Sequence, residues 1–112
     1  MSLGYIGYCC IDIEYEQAII YQYSGGCWSS PTNDSNVEKD YNGILLIYKS
    51  LMNHAEAHDG FNNGEIEIMR ACKNKTYRSF ISVDYIAYQL ARHILQRARD
   101  DGEFPESEAF IQ

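Results

Sequence analysis

The segment from Val83 to Arg99 constrains the fold more than any other part of the chain. Its apolar residues recur every three or four positions, which places them in one stripe along a helix. They are Val83, Ile86, Ala87, Leu90, Ile94, Leu95 and Ala98. Ser82 is suited to cap the start of this helix, and Gly102 is a stop signal after it. An amphipathic helix of this length buries its stripe against another apolar layer, which the rest of the chain has to supply.

The first quarter of the chain predicts a β-hairpin. Residues 5–13 and 18–23 are rich in Ile and Tyr and are separated by the charged string Glu14-Tyr15-Glu16-Gln17. In the first strand alternate residues share a face, namely Tyr5, Gly7, Cys9, Ile11 and Ile13. The stretch Ser24–Asn36 is rich in Gly, Ser and Asn and predicts a long loop of the kind that often carries function.

The middle of the chain predicts a second helix. Ser35 and Glu38 fit a capping box, and apolar residues recur at helical spacing from Val37 towards a stop at Gly60. The run Ile44–Ile47 consists of four consecutive apolar residues, which also suits a buried strand. A strand is therefore the alternative for this run.

A second hairpin is predicted between residues 65 and 81. Its strands are Glu65–Cys72 and Thr76–Ile81, and a helix from Glu65 to Lys73 is the alternative for the first of them. Together the segments predict an α+β fold. We expect an antiparallel sheet from two hairpins packed against two helices, in the order β-β-α-β-β-α.

The length of 112 residues corresponds to one domain. We expect residues 1–102 to form it and residues 103–112 to be an acidic C-terminal tail, frayed unless Phe104, Phe110 and Ile111 dock it on a surface. The chain has no apolar run long enough to span a membrane and no signal-peptide pattern. These features favour a cytoplasmic protein whose four cysteines are reduced.

The net charge of -7 is unevenly distributed along the chain. Cations are concentrated in residues 65–99, and the segments on either side are acidic. The basic block is too small and too diluted by acids to favour nucleic-acid binding. Electrostatic pairing is the preferred interpretation, within one chain or across a homodimer, and it would involve Arg92, Arg97 and Arg99.

Two histidines and an aspartate form a candidate metal site. His54 and His58 are four residues apart, so in a helix they lie on one face with Asp59 close by. The string lacks the order HExxH, and the alternative is a solvated helix end whose histidines interact with the helix dipole. The sequence specifies no particular cofactor.

Cys27 is a candidate nucleophile, with His54 or His58 as its base. The string Gly25-Gly26-Cys27-Trp28-Ser29, with Gln22 upstream, resembles the region around the nucleophile of papain-type cysteine proteases over about seven residues. The resemblance implies a thiolate nucleophile at Cys27 and an oxyanion-stabilising amide at Gln22. The alternative is that Cys27 packs beside Trp28.

Aromatic residues suggest a binding surface on the first hairpin. Tyr8, Tyr21, Tyr23 and Trp28 are candidates to stack on a small-molecule ligand or a peptide, and the alternative is cross-strand packing with the hydroxyls in water.

The sequence contains no complete catalytic set, so an enzyme is not the favoured interpretation. The preferred hypothesis is a small intracellular binding or regulatory module that acts through a protein partner or through self-association. A cysteine-nucleophile hydrolase and a metal-binding protein remain the alternatives.

Overall fold

The computed structural model describes residues 4–28, 41–53, 56–72 and 83–111. They form a five-stranded antiparallel sheet in the order β4-β3-β2-β1-β5 and two α-helices. The strands are β1 (Gly4–Glu14), β2 (Ala18–Trp28), β3 (Gly43–Tyr48), β4 (Ile66–Arg70) and β5 (Ser107–Ile111). The α-helices are α1 (Ala57–Asn63) and α2 (Tyr85–Asp101), and a 3-10 helix spans Lys49–Asn53. The α+β class and the antiparallel sheet are confirmed, while the described elements follow the order β-β-β-α-β-α-β.

The predicted first hairpin is confirmed by the pairing of β1 with β2. The backbone N–H of Tyr15 donates to the carbonyl of Ala18 at 2.8 Å and closes the turn. β2 continues to Trp28, so Ser24–Trp28, predicted as the start of a loop, is strand. Residues 29–36 of that loop lie outside the described residues.

A β-bulge between Ile11 and Ile13 reverses the face of the sheet to which the last side chains of β1 point. Ile11 pairs with Tyr21, whereas Ile13 pairs with Ile20. Because Tyr21 and Ile20 point to opposite faces of β2, Ile13 leaves the face that it was predicted to share with Ile11 and is 44% exposed.

The helix predicted from Val37 to Gly60 is wrong over residues 43–48, which form β3 between β2 and β4. The alternative interpretation of Ile44–Ile47 as a strand is the correct one. The long apolar run arises because both faces of β3 carry apolar side chains. The predicted cap at Ser35 and the residues up to 40 lie outside the described part of the chain.

β4 corresponds to the first strand of the second predicted hairpin, and a helix from Glu65 to Lys73 is wrong for this segment. β4 pairs with β3, which precedes it in the chain. The second predicted strand, Thr76–Ile81, lies outside the described residues.

The predicted C-terminal helix is confirmed as α2. Asp84 caps its start, and the Asp84 side chain accepts a hydrogen bond from the backbone N–H of Ile86 at 3.2 Å. Gly102 ends the helix in the left-handed region, with φ of 81°. The predicted cap Ser82 lies outside the described residues.

The segment predicted as a frayed acidic tail contains β5, which pairs antiparallel with β1 over Ile6–Cys10. Phe110 is buried in the core at 4% exposure, so the docking alternative is the correct one for this side chain. Ile111, its neighbour, is 71% exposed. The second half of residues 103–112 is therefore part of the sheet.

The core lies between one face of the sheet and the α-helices. Residues that face α2 are fully or almost fully buried, including Cys9, Tyr21, Tyr23, Leu45, Ile47 and Phe110. Gly7 and Gly25 are opposite each other in β1 and β2, and a Cβ at either position would collide with Ile86 of α2 or with Phe110. These glycines let α2 and β5 approach the sheet closely. Among the described helices, none is long and apolar enough to span a membrane.

Candidate functional site

The face of the sheet that points away from α2, here called the outer face, is apolar at its centre. By register this face includes Ala18 and Ser24, which are buried, and the exposed Tyr48. Its other described side chains along β1, β2 and β3 are Ile6, Tyr8, Cys10, Ile13, Ile20, Gln22, Ile44 and Leu46. All of these are uncharged, and all except the exposed Ile13 are half-buried. Antiparallel sheets with one face in water usually alternate apolar and polar residues. This sheet instead has apolar residues on both faces.

Charge appears on the outer face at its β4 margin. Glu67 pairs with Leu46 and Arg70 pairs with Ile44, so this edge carries one acidic and one basic residue. The Arg70 Nε donates to the carbonyl of Asn42 at 2.9 Å. The two charges are opposite in sign, so the margin is neutral as a whole.

A polar spot interrupts the apolar residues of the outer face. The Gln22 amide donates to the Cys10 Sγ at 3.2 Å. Burial, and next the neighbouring Cys10, Cys9 and Tyr8, raises the pKa of the Tyr41 hydroxyl.

Tyr21 and Tyr23 do not belong to the predicted aromatic binding surface, because both are fully buried on the α2 side of the sheet. The Tyr21 hydroxyl donates to the carbonyl of Pro105 at 2.7 Å. Tyr8 lies on the outer face as a half-buried residue. The side chain of Trp28 lies outside the described part of the structure.

The Tyr23 hydroxyl forms a buried polar cluster with Asp84 and Cys72. It donates to Asp84 Oδ2 at 2.7 Å and accepts from the backbone N–H of Cys72 at 3.1 Å. The Cys72 Sγ is 3.5 Å from the same carboxyl oxygen. Burial, and next the neighbouring Asp84, raises the pKa of the Tyr23 hydroxyl. The cluster ties β2 to the start of α2 and has no opening to solvent, which indicates a structural role.

Sequence reasoning missed this buried cluster. The available signal was Asp84 itself, an acid directly before the apolar stripe of α2 and therefore a good N-cap. Its partners Tyr23 and Cys72 are 61 and 12 residues away in sequence, so the contact depends on the sheet register.

The candidate metal site is described in part. His58 and Asp59 lie on α1 and are exposed, and the His58 Nε2 is 3.1 Å from the Asn62 Nδ2. His54 lies outside the described residues. Within the described ranges, no group of three or more His, Cys, Asp or Glu side chains is arranged to hold a metal ion. The role predicted for His54, His58 and Asp59 stays a prediction.

The candidate thiol site cannot be assembled from the described side chains. The backbone of Cys27 is in β2, opposite Tyr5, but its side chain and His54 are outside the described part. Gln22, the residue suggested by the resemblance to stabilise an oxyanion, donates to Cys10. The role predicted for Cys27 with His54 or His58 stays a prediction.

The three arginines predicted to pair with acids lie on α2. Arg97 Nε is 3.4 Å from a Glu108 carboxylate oxygen on β5, and Arg99 Nη1 is 3.4 Å from a Glu56 carboxylate oxygen. Arg92 donates to the side-chain oxygen of Gln89 at 3.2 Å. The contact of Arg97 with Glu108 joins the basic block to the acidic C-terminal segment within one chain.

Arg92 and Arg99 line a surface cleft of about 300 Å³, here called the α2 cleft. The cleft lies between α2 and the start of α1, and its lining residues are Glu56, Ala57, Gln89, Arg92, His93, Leu95, Gln96 and Arg99. Ala57 and Leu95 are buried and form its apolar floor. The α2 cleft is on the helix side of the molecule, away from the outer face.

Comparisons of the chain with family models, curated proteins and solved structures find no match in any of the three.

Proposed function

We propose that this domain is a small protein-binding module that self-associates through its outer face. The observation that carries the proposal is the row of uncharged, largely apolar side chains across β1, β2 and β3, on the side of the sheet opposite the two α-helices. These side chains are half-buried and so keep part of their surface in water, and contiguous apolar surface of this kind on soluble proteins usually marks interaction sites.

Burial of this face would supply the free energy for association. Each Å² of apolar surface removed from water contributes about 25 cal/mol. The isoleucines Ile6, Ile20 and Ile44 and the leucine Leu46 are already half-buried in the monomer, so part of their ordering is complete before association. Sheets pack face to face at about 10 Å, with the side chains of both inner faces interdigitated.

Charge favours a second copy of the chain as the partner on this face. Two chains with a net charge of -7 repel each other wherever their acidic surfaces meet. The outer face avoids this repulsion because its central residues are uncharged and its β4 margin carries one charge of each sign, Glu67 and Arg70. A basic partner would instead be drawn to the acidic perimeter of the domain.

The experiment is sedimentation velocity over a protein concentration range from about 5 to about 500 µM. We expect the weight-average mass of the wild type to rise with concentration. Ile20→Arg places a charge between Ile13 and Leu46 at the centre of the face and should weaken association at least about tenfold. Asn62→Arg adds the same charge to the exposed side of α1 and is the matched control.

A wild-type chain that stays monomeric over this concentration range contradicts self-association. An equal effect of Ile20→Arg and Asn62→Arg would show that association depends on charge and not on the outer face. Circular dichroism of both variants verifies that the fold is retained.

A further inference from the structure

The cations of the described residues are concentrated on α2. They are Lys49, Arg70, Arg92, Arg97 and Arg99, and the last three lie on this one helix. Two of them, Arg92 and Arg99, are seven positions apart, which corresponds to about two turns and about 10.5 Å of rise. Both line the α2 cleft. An acidic chain therefore has a local positive site next to an apolar floor.

Neutral acceptors hold both guanidinium groups in place. Arg99 donates to the carbonyls of Met52 and Leu51 at 3.2 and 3.4 Å. Arg92 donates to Gln89, whose own amide donates to the Tyr85 hydroxyl at 2.9 Å. These acceptors orient the guanidinium groups, and they bring no opposing charge because carbonyl and amide oxygens carry no net charge.

Glu56 places a carboxylate of the chain itself beside Arg99. Its Oε1 is 3.4 Å from Arg99 Nη1, and its side chain is 79% exposed. An ion pair this exposed contributes little to stability and is readily exchanged. A ligand carboxylate with better geometry is therefore able to replace Glu56 beside Arg99.

We propose that the α2 cleft binds a ligand that carries two carboxylates joined by a short aliphatic spacer. One carboxylate pairs with Arg92 and the other with Arg99, because guanidinium groups form strong, charge-assisted hydrogen bonds with carboxylates. The spacer lies on Ala57 and Leu95, and the Gln96 amide is between the two ends. The source of the two carboxylates is either a free dicarboxylic acid or neighbouring acidic side chains of a peptide.

Inorganic phosphate is the discriminating comparison for this proposal. It is a single compact anion, whereas the two arginines are anchored to different neighbours about two helical turns apart. It is therefore expected to bind at one arginine and more weakly than a dicarboxylate.

The experiment is a titration at low ionic strength, followed by amide chemical shifts of the full chain. The probes are glutarate, a blocked Glu-Glu dipeptide and inorganic phosphate. Arg92→Gln is expected to weaken glutarate or dipeptide binding about tenfold, since it removes one charged hydrogen-bonding partner. Glu56→Gln is expected to tighten binding about threefold, because the internal competitor loses its charge. Arg97→Gln is the matched control, since Arg97 lies on the same helix and outside the cleft lining.

The two organic probes distinguish the sources of the ligand. Tighter binding of glutarate supports a free dicarboxylic acid, and tighter binding of the dipeptide supports an acidic peptide segment. The proposal is overturned if neither probe shifts α2 resonances, if phosphate binds as tightly as both, or if Arg97→Gln weakens binding as much as Arg92→Gln. Repeating the titration with Ile20→Arg separates this site from self-association, since the outer face and the cleft are on different sides.

Discussion

The Tyr23 hydroxyl joins three separate segments of the chain through buried hydrogen bonds. It contacts Asp84 at the start of α2 and the backbone of Cys72 after β4. Tyr23→Phe removes both hydrogen bonds without changing the ring, and we expect the free energy of unfolding to fall by about 2–3 kcal/mol. Tyr48→Phe, at an exposed position of β3, should change it by less than about 0.5 kcal/mol.

Urea denaturation followed by far-UV circular dichroism measures both tyrosine variants. Equal midpoints for Tyr23→Phe and the wild type would show that the buried cluster contributes no net stability. This comparison is informative because both variants lose one phenolic oxygen and keep the ring.

Cys9 predicts how stability changes in alkaline solution. Burial raises the pKa of its thiol from 9.0 to about 12. The thiol therefore stays protonated in the folded chain after it has ionised in the unfolded chain, so stability is intact below about pH 9 and falls as the pH rises from about 9 to about 12. Burial also raises the pKa values of Tyr21 and Tyr23, which adds to the loss at higher pH.

The alkaline effect is measured by urea denaturation between about pH 8 and about pH 11. Cys9→Ala is expected to be less stable at pH 8 because it leaves a small void in the core, and to lose less stability over the same range. A wild-type curve that is flat across this range would contradict the effect of burial on the thiol.

At the scale of elements, β5 provides a test with adjacent residues on opposite faces. Phe110 is buried against Gly7 and stacks with His93 at 5.6 Å between ring centroids, whereas Ile111 is exposed. We expect Phe110→Ala to lower the free energy of unfolding by about 3–4 kcal/mol and Ile111→Ala to change it by less than about 0.5 kcal/mol. Thermal denaturation of the two variants makes the comparison. A larger loss at Ile111 would mean that Ile111, and not Phe110, points into the core.

The elements that could be predicted from sequence are those with a single buried face. α2 shows a clean apolar stripe, and the first hairpin shows alternation with a charged turn. β3 was predicted as a helix because Ile44 and Leu46 are apolar although they are on the outer face, which removes the alternation that identifies a strand. β5 is short and follows an acidic stretch, and only one of its residues, Phe110, is buried in the core.

The candidate surfaces were predicted less well than the fold class. The sequence identified Tyr8 and the three arginines of α2 as candidate binding residues; the structure places Tyr8 on the outer face and the arginines on α2, and their binding roles stay predictions. The sequence could not show that Tyr8 lies on the outer face while Tyr21 and Tyr23 lie in the core. The face that a strand residue occupies depends on the register and on which side of the sheet the helices cover. The isoleucines of the outer face resemble core residues in sequence, since their chemistry is that of a core.

At the scale of the whole molecule, the two proposed sites are on opposite sides and differ in charge. The outer face is neutral, whereas the α2 cleft is lined by two arginines. Ion pairs such as Arg97 with Glu108 and Lys49 with Glu14, the latter at 2.7 Å, connect basic and acidic segments within the chain. Some of the pairing predicted from the charge pattern is therefore satisfied inside the monomer.

The sign of the salt dependence distinguishes an apolar dimer from an electrostatic one. Two chains with a net charge of -7 repel each other, and salt screens this repulsion. If the outer face is the interface, raising NaCl from about 20 to about 500 mM should strengthen association severalfold, because the apolar contact is retained while the repulsion falls. An interface between the basic block and the acidic segments of a second copy would weaken over the same range, because salt also screens the attraction between opposite charges. Sedimentation equilibrium at both salt concentrations measures the two dissociation constants. Association that weakens with salt in the wild type and persists in Ile20→Arg would show that the charged surfaces, and not the outer face, form the interface.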